Sequence, residues 1–210
     1  MNADLTRERL LCAAMEIFAT QGYEGASPRD ICRAAGISNA SIHYHFGDKA
    51  AIYRELFVRL MDEFVERMSG CGMERSSGRE ALLAYYHALL RPLAENAGMA
   101  QQVYLYVREE FQPSGIVDDL LPRGLHLQID LLGGLLRREL GVSRLEGPQQ
   151  RLMMALHGLA FVYVVQRRTI AGTLPGLLEG PHWVQRLAAY LADAGWSLIE
   201  AERRRRASRH

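Results

Sequence analysis

Within seven consecutive positions the chain sets an amide, a methyl, a hydroxyl, two imidazoles and a phenol: Asn39, Ala40, Ser41, His43, Tyr44 and His45. Such groups suit the edges of base pairs and the phosphates beside them, and an asparagine pairs with adenine in a bidentate way. Other chemistry is poorly served by the same segment. Gly36-Ile37-Ser38-Asn39-Ala40 approaches a nucleophile elbow, but that turn needs a preceding strand and a second glycine, and here a helix precedes. Ser38 reads instead as a helix N-cap. His43 and His45, two apart on a helix, point about 200° apart and do not share an ion. His126 and His157 fall in separate helices and read as core or pocket groups.

No paired carboxylates, no nucleophile with its base and no ligand cluster appear, so neither an enzyme, nor a metal centre, nor a cofactor is expected. Cys12, Cys32 and Cys71 are too few and too scattered for a disulfide framework or a zinc site. Cys12 and Cys32 read as small buried apolar residues.

A side chain reads a groove only if its helix is braced, so the elements around residues 39–45 matter. Leu10, Ala13, Ala14, Ile17 and Phe18 form the apolar stripe of a first helix, stopped at Gly22. Ser27, Pro28 and Asp30 signal the start of a second, over 27–35, ending at Gly36. A third is capped by Ser38 and runs to Phe46. Two short helices separated by Gly36-Ile37-Ser38 make a helix-turn-helix, in which the first crosses the backbone and the second presents its N-terminal side chains to the major groove. Ile31, Ile37, Ile42 and Phe46 lock the pair. Ile52, Leu56, Leu60 and Phe64 then follow a long helix that ends at Gly70-Cys71-Gly72.

The rest of the 210 residues reads as long helices over 77–96, 99–111, 116–140, 147–171 and 180–206, with no β-alternating segment and no repeat. The fold class is therefore all-α. Apolar residues make up 49% of the chain, which argues for a packed core rather than disorder, and the net charge of +1 selects no partner. No apolar run reaches the ~18 residues of a membrane span, and no basic start precedes an apolar block, so a cytoplasmic chain without membrane contact is expected. Residues 1–50 carry Arg7, Arg9, Arg29, Arg33 and Lys49 against six carboxylates. Nucleic-acid binding must then rest on local placement rather than on a broad basic field. Lys49 is the only lysine, beside twenty-four arginines.

Residues 6–57, TRERLLCAAMEIFATQGYEGASPRDICRAAGISNASIHYHFGDKAAIYRELF, resemble the DNA-binding domain of the TetR family of bacterial regulators. The resemblance implies a division into residues 1–50, which bind DNA, and 51–210, which bind a ligand and dimerise. It implies phosphate contacts from Ser27, Arg29 and Lys49, base contacts from Asn39 and Ala40, and mainly backbone contacts from His43, Tyr44 and His45. Asn39, Ala40 and His43 depart from the family's commoner lysine, glycine and tyrosine, which leaves the operator sequence open. The stretch 104–114, YLYVREEFQPS, is similar to a subgroup of that family linked to antibiotic sensitivity.

For the C-terminal part, Tyr86, Tyr104, Arg108, His126, Met153, His157 and Phe161 mix aromatic and polar groups as a ligand cavity between helices would. Ordinary core packing would look similar. The last two helices carry more apolar faces than one core needs, with Leu152 and Leu156 on one face, Met153 and His157 on another, and Leu187, Leu191 and Leu198 on the final helix. A homodimer through those helices, on a palindromic double-stranded operator, is expected. The reading is a repressor released by a small molecule, against an activator or a DNA-bound structural factor without inducer.

Overall fold

Helical periodicity carries through to the structure, a computed structural model that describes residues 3–95 and 97–208. Among these residues there is no strand. The helices are α1 (Ala3–Gly25), α2 (Pro28–Ala35), α3 (Ala40–His45), α4 (Lys49–Ser69), α5 (Gly78–Leu90), α6 (Pro92–Glu95) and α7 (Ala97–Phe111). They continue with α8 (Leu121–Leu140), α9 (Gly147–Val165), α10 (Arg167–Thr173) and α11 (Trp183–Ala207). No described helix is long and apolar enough to cross a membrane. The chain forms two compact units, Met1–Phe64 with Asn96–Arg123, and Val65–Glu95 with Gly124–His210.

The first unit is built on the stripe Leu10, Ala14 and Phe18, all buried, against Ile31, Cys32 and Ile42 of the short helices and Ile52, Tyr53, Leu56 and Phe57 of α4. Cys12 is exposed rather than buried, because it falls on the outer side of α1, whereas Cys32 lies in the core. The helical backbone of α1 breaks at Gly22, with φ 76° and ψ 175°. A Cβ there would stand 2.7 Å from Nε of Arg108, so both conformation and space call for glycine.

α7 belongs to this unit and supplies part of its core. Leu105 of α7, with Val117 and Leu120 of the following turn, is buried in the same cluster. Glu109, 1% exposed, accepts from the Tyr53 hydroxyl at 2.6 Å and from the Ser114 amide and hydroxyl at 2.8 and 2.7 Å. Burial and the adjoining carboxylate both push the Tyr53 phenol well above its ordinary value. Arg54 holds the same turn from outside, donating to both Asp119 oxygens at 2.7 and 2.5 Å and to the Ile116 carbonyl at 3.1 Å.

The second unit packs α11 on α5 and α9. Gly195 permits this, since a Cβ there would lie 3.0 Å from Leu156 and 3.1 Å from Leu82. Tyr86 donates to the Leu156 carbonyl at 2.8 Å, and buried Gln149 donates to buried Glu202 at 2.8 Å. Arg203 donates to the Glu139 carboxylate at 2.8 Å and to its carbonyl, tying the end of α11 to the end of α8.

Several helices are shorter than periodicity suggests, and prolines and chain reversals account for most of this. The 77–96 span breaks at Arg91, because Pro92 has no N–H to continue α5; its last residue, Asn96, lies outside the described residues. The 116–140 span starts only at Leu121, with Pro122 in the first turn, where the missing donor costs nothing. The 147–171 span divides at Gln166, and α11 begins after His182, whose φ is 64°.

Glu109→Ala would leave the buried Tyr53 hydroxyl and the Ser114 amide without their acceptor. The expected loss is about 2–4 kcal/mol from the unfolding free energy of the first unit. Denaturant unfolding followed by tyrosine absorbance and far-ultraviolet circular dichroism checks this, since both tryptophans stand in the second unit, and an unchanged midpoint would contradict the role given to the carboxylate.

Candidate nucleic-acid interface

The helix-turn-helix is punctuated by local chemistry. Ser27 is the N-cap of α2, accepting from the Asp30 amide at 3.1 Å, while its hydroxyl donates to Asp30 Oδ2 at 2.6 Å. Pro28 occupies the first turn. Gly36, with φ 63° and ψ 39°, ends the helix in the left-handed region, its amide donating to the Cys32 and Arg33 carbonyls. Arg9 of α1 closes the same end by donating to the Ala35 carbonyl.

Ser38 does not cap α3 through its side chain. Its carbonyl accepts from the Ser41 amide at 3.0 Å and its hydroxyl pairs with the Ser41 hydroxyl at 3.0 Å, so the helix starts one step later, at Ala40. Ile42 is the buried residue of α3, which fixes the rotation of the helix. Asn39, Ala40, His43 and Tyr44 are exposed as a result, Tyr44 to 81%. Ser41 and His45 are half-buried. His43 Nδ1 lies 2.6 Å from the Gly47 carbonyl, and with Nδ1 protonated that bond leaves Nε2 directed away from the turn. The Tyr44 and His45 rings meet edge to face at 4.9 Å.

The cations of this segment are mostly committed within the molecule. Arg7 pairs with Glu55 and lies over the Phe46 ring, and Arg33 pairs with Asp30. Lys49 donates to the Tyr23 carbonyl at 2.9 Å and the Ala26 carbonyl at 3.3 Å, and sits 4.2 Å from the centre of the Tyr23 ring. It thus joins the start of α4 to the α1–α2 turn, a structural role that sequence reading missed. Arg29 is exposed, and it has no intramolecular partner among the described residues.

The residues read as ligand-binding separate into two groups. Tyr104 and Arg108 stand on α7 in the first unit, where Arg108 donates to the Thr20 carbonyl at 3.0 Å and the Ala19 carbonyl at 3.4 Å. In the second unit Tyr86 and Met153 are buried and His157 is half-buried, whereas His126 and Phe161 are exposed. Two polar groups that sequence reading passed over complete an internal cluster. Tyr85 donates to Gln128 at 2.8 Å, and its hydroxyl lies 3.4 Å from His157 Nδ1. Burial lowers the His157 pKa and raises that of Tyr85, so both are held neutral. Nothing but its residue type marks Tyr85 in the sequence. No group of three metal-ligating side chains stands together among the described residues.

Lys49→Ala removes two carbonyl contacts and a cation–π contact, and should cost the first unit about 1–2 kcal/mol. Thermal unfolding without DNA reads this directly. An unchanged melting temperature accompanied by weaker DNA binding would give Lys49 to phosphate alone.

Comparison with known proteins supplies the lineage of both units. Residues 10–56 match the family described as bacterial regulatory proteins, tetR family. Residues 78–201 match the C-terminal domain of the HTH-type transcriptional dual regulator CecR. The Fatty acid metabolism regulator protein of Bacillus subtilis (strain 168) is 28% identical over 101 residues, 48% of this chain and 52% of its own length. The chain thus matches about half the length of that curated relative. A TetR-family transcriptional regulator from Bordetella parapertussis 12822 superposes with TM-score 0.69 at 18% identity, over 90% of this chain and 93% of that one. The transcriptional regulator FadR from Bacillus subtilis, in complex with stearoyl-CoA, does so with TM-score 0.64 at 18% identity, over 91% and 96%. At such identities these structures speak for the fold alone. With the recognition segment and more than half of its length matched in this way, the chain belongs to the TetR family of transcription regulators, with a C-terminal domain of the CecR type.

Proposed function

We propose that the chain is a dimeric repressor that binds a palindromic operator in the cytoplasm and leaves it when a small molecule occupies the C-terminal unit. The observation that carries this reading is the rotation of α3. Ile42 is sunk in the core, so Asn39, Ala40, His43 and Tyr44 face outward together. In the proposal Asn39 and Ala40 meet base edges, and Tyr44, His43, Ser41 and His45 meet the backbone beside them. Arg29 is the principal phosphate contact, aided by the start of α2 and by the remaining N–H of Lys49. Ser27 contributes through its backbone, since its hydroxyl donates to Asp30, and the Ser38–Ser41 hydroxyl pair keeps one hydrogen to donate to a phosphate.

A dimer supplies the second half-site. Leu187 and Leu191, named from the sequence as interface residues, are buried in their own unit. The apolar groups left outside are Met154, Phe161 and Val162 on α9 and Tyr190 and Leu198 on α11. Gln149 meets Glu202 and Leu156 lies by Gly195, so the two helices run antiparallel. At that register Met154 stands level with Leu198 and Phe161 with Tyr190, which gives one apolar face suited to a two-fold partner.

Release requires only that the ligand prefer one conformer of the chain to the other. Three chain crossings, at residues 64–65, 95–96 and 123–124, join the units, and two of them lie inside α4 and α8. The words "dual regulator" in the description of the C-terminal family favour a second reading, in which the same chain also activates at some promoters.

Selection of bound duplexes from a random library tests the proposal. A palindrome should emerge with half-sites about 34–36 Å apart, or a multiple of that. Asn39→Ala should relax one position per half-site, and Arg29→Ala should lower the salt slope by about one per half-site without changing the motif. Failure to enrich any sequence would contradict the function.

Leu198→Asp combined with Tyr190→Asp should give a monomer by sedimentation at micromolar concentration. A dimer that survives both charges would contradict the interface.

A further inference from the structure

Where α8 ends, α9 starts and α11 ends, the second unit encloses a hollow of ≈ 670 Å³. Four guanidinium groups line it: Arg144 from the turn between α8 and α9, Arg151 from α9, and Arg205 and Arg206 from α11. Val142 and Pro148 are the apolar side chains of its wall.

The two carboxylates of the hollow are already committed. Glu146 caps α9, its side chain accepting from the Gln149 amide while the Gln149 side chain accepts from the Glu146 amide at 3.1 Å. Glu202, 5% exposed, accepts from Gln149 at 2.8 Å with one oxygen and meets Arg205 at 3.4 Å with the other. Arg144, Arg151 and Arg206 have no partner among the described residues.

We infer that this hollow binds a short chain of phosphates, free or carried as the tail of a nucleotide. The inference does not depend on the reading of the chain as a ligand-released repressor.

The class of ligand follows from the lining. Three unpaired cations from three different elements surround one concavity, and each keeps its fork of donors free. One singly charged ion answers only part of that set. A chain of two or three phosphates brings several charges and a row of acceptor oxygens at once, in the forked geometry that guanidinium groups match. With so little apolar wall, a ligand held by a hydrocarbon tail would gain nothing here. The concave form suits a solute that enters it rather than a duplex, whose phosphates lie on the outside of a rod.

The site is also built before any anion arrives. Arg151 lies back over the first turn of α9, so that a Cβ on Gly147 would come within 3.3 Å of its Nη1. A cation is unfavourable at that end of a helix, and an anion held by Arg151 would reverse the sign. The capping box and the Gln149–Glu202 bond hold this turn against α11, which fixes the floor between Arg151 and Arg206.

Isothermal titration of the full chain at ~0.15 M salt, without DNA or magnesium, tests this with tripolyphosphate, ATP and orthophosphate. Tripolyphosphate or ATP should bind at least tenfold more tightly than orthophosphate. Tighter binding of ATP than of tripolyphosphate assigns a nucleotide, and equal or weaker binding assigns the phosphate chain alone. Arg151→Ala combined with Arg206→Ala should weaken the tighter ligand at least tenfold, and the corresponding pair of lysines should keep part of the affinity. Arg168→Ala, an exposed position on α10 outside the hollow, should bind as the parent does. No heat from either ligand at millimolar concentration, equal affinity for orthophosphate, or an equal loss in Arg168→Ala would overturn the inference. So would a double alanine variant that loses affinity for a non-operator duplex while it holds tripolyphosphate as the parent does, since the arginines would then serve nucleic acid.

Discussion

A carboxylate shut inside a helical unit needs donors on every side, and for Glu109 these come from two different parts of the chain. Tyr53 reaches it from α4, and Ser114 closes on it from the turn after α7. An unmet buried carboxylate would cost several kcal/mol, so these elements hold together or not at all. Around that bond the turn at 112–120 is pinned, Leu105, Val117 and Leu120 enter the core, and Arg108 is brought over the end of α1. The helix-turn-helix stands on this base. Ile42 has a fixed hole to fill only because α1 and α4 are fixed, and the outward direction of Asn39 and Tyr44 follows from Ile42.

The same economy explains how a segment with no excess of basic residues can serve a polyanion. Arg7, Arg9, Arg33 and Lys49 are spent on carbonyls, rings and carboxylates that brace the short helices. What remains toward the solvent is Arg29 and a set of neutral hydrogen-bonding groups. Affinity that comes from few charges is less diluted by non-specific phosphate attraction, which leaves more of the discrimination to base contacts.

Much of this was legible in the sequence where the signal is local. Ser27, Pro28 and Gly36 mark the ends of α2 by their own stereochemistry, and the stripe from Leu10 to Phe18 announces its buried side. Contacts between residues distant in sequence were not legible. Nothing in residues 104–114 says that Arg108 ends on the Thr20 carbonyl rather than in a cavity with His157, or that α7 helps to build the core around α1. Lys49 was noticed as the only lysine, yet its partners Tyr23 and Ala26 lie on the other side of two helices. On α11, apolar residues occur on more than one side, so the pattern did not say which leucines face inward; packing on Tyr86 and Leu156 through Gly195 decides it. The Tyr85–Gln128–His157 cluster joins three helices, and a one-dimensional pattern carries no trace of it beyond the residue types.

The DNA-binding head depends on a segment from the middle of the chain. Residues 1–64 produced alone should therefore be largely unfolded or much less stable than in the intact chain. They lose Glu109, and they lose Leu105, Val117 and Leu120, each worth about 1.5–3 kcal/mol on burial. Addition of residues 96–123 in the same polypeptide should restore helical content and cooperative unfolding, read by far-ultraviolet circular dichroism. A 1–64 fragment that unfolds cooperatively at the same denaturant concentration as the intact head would contradict the account.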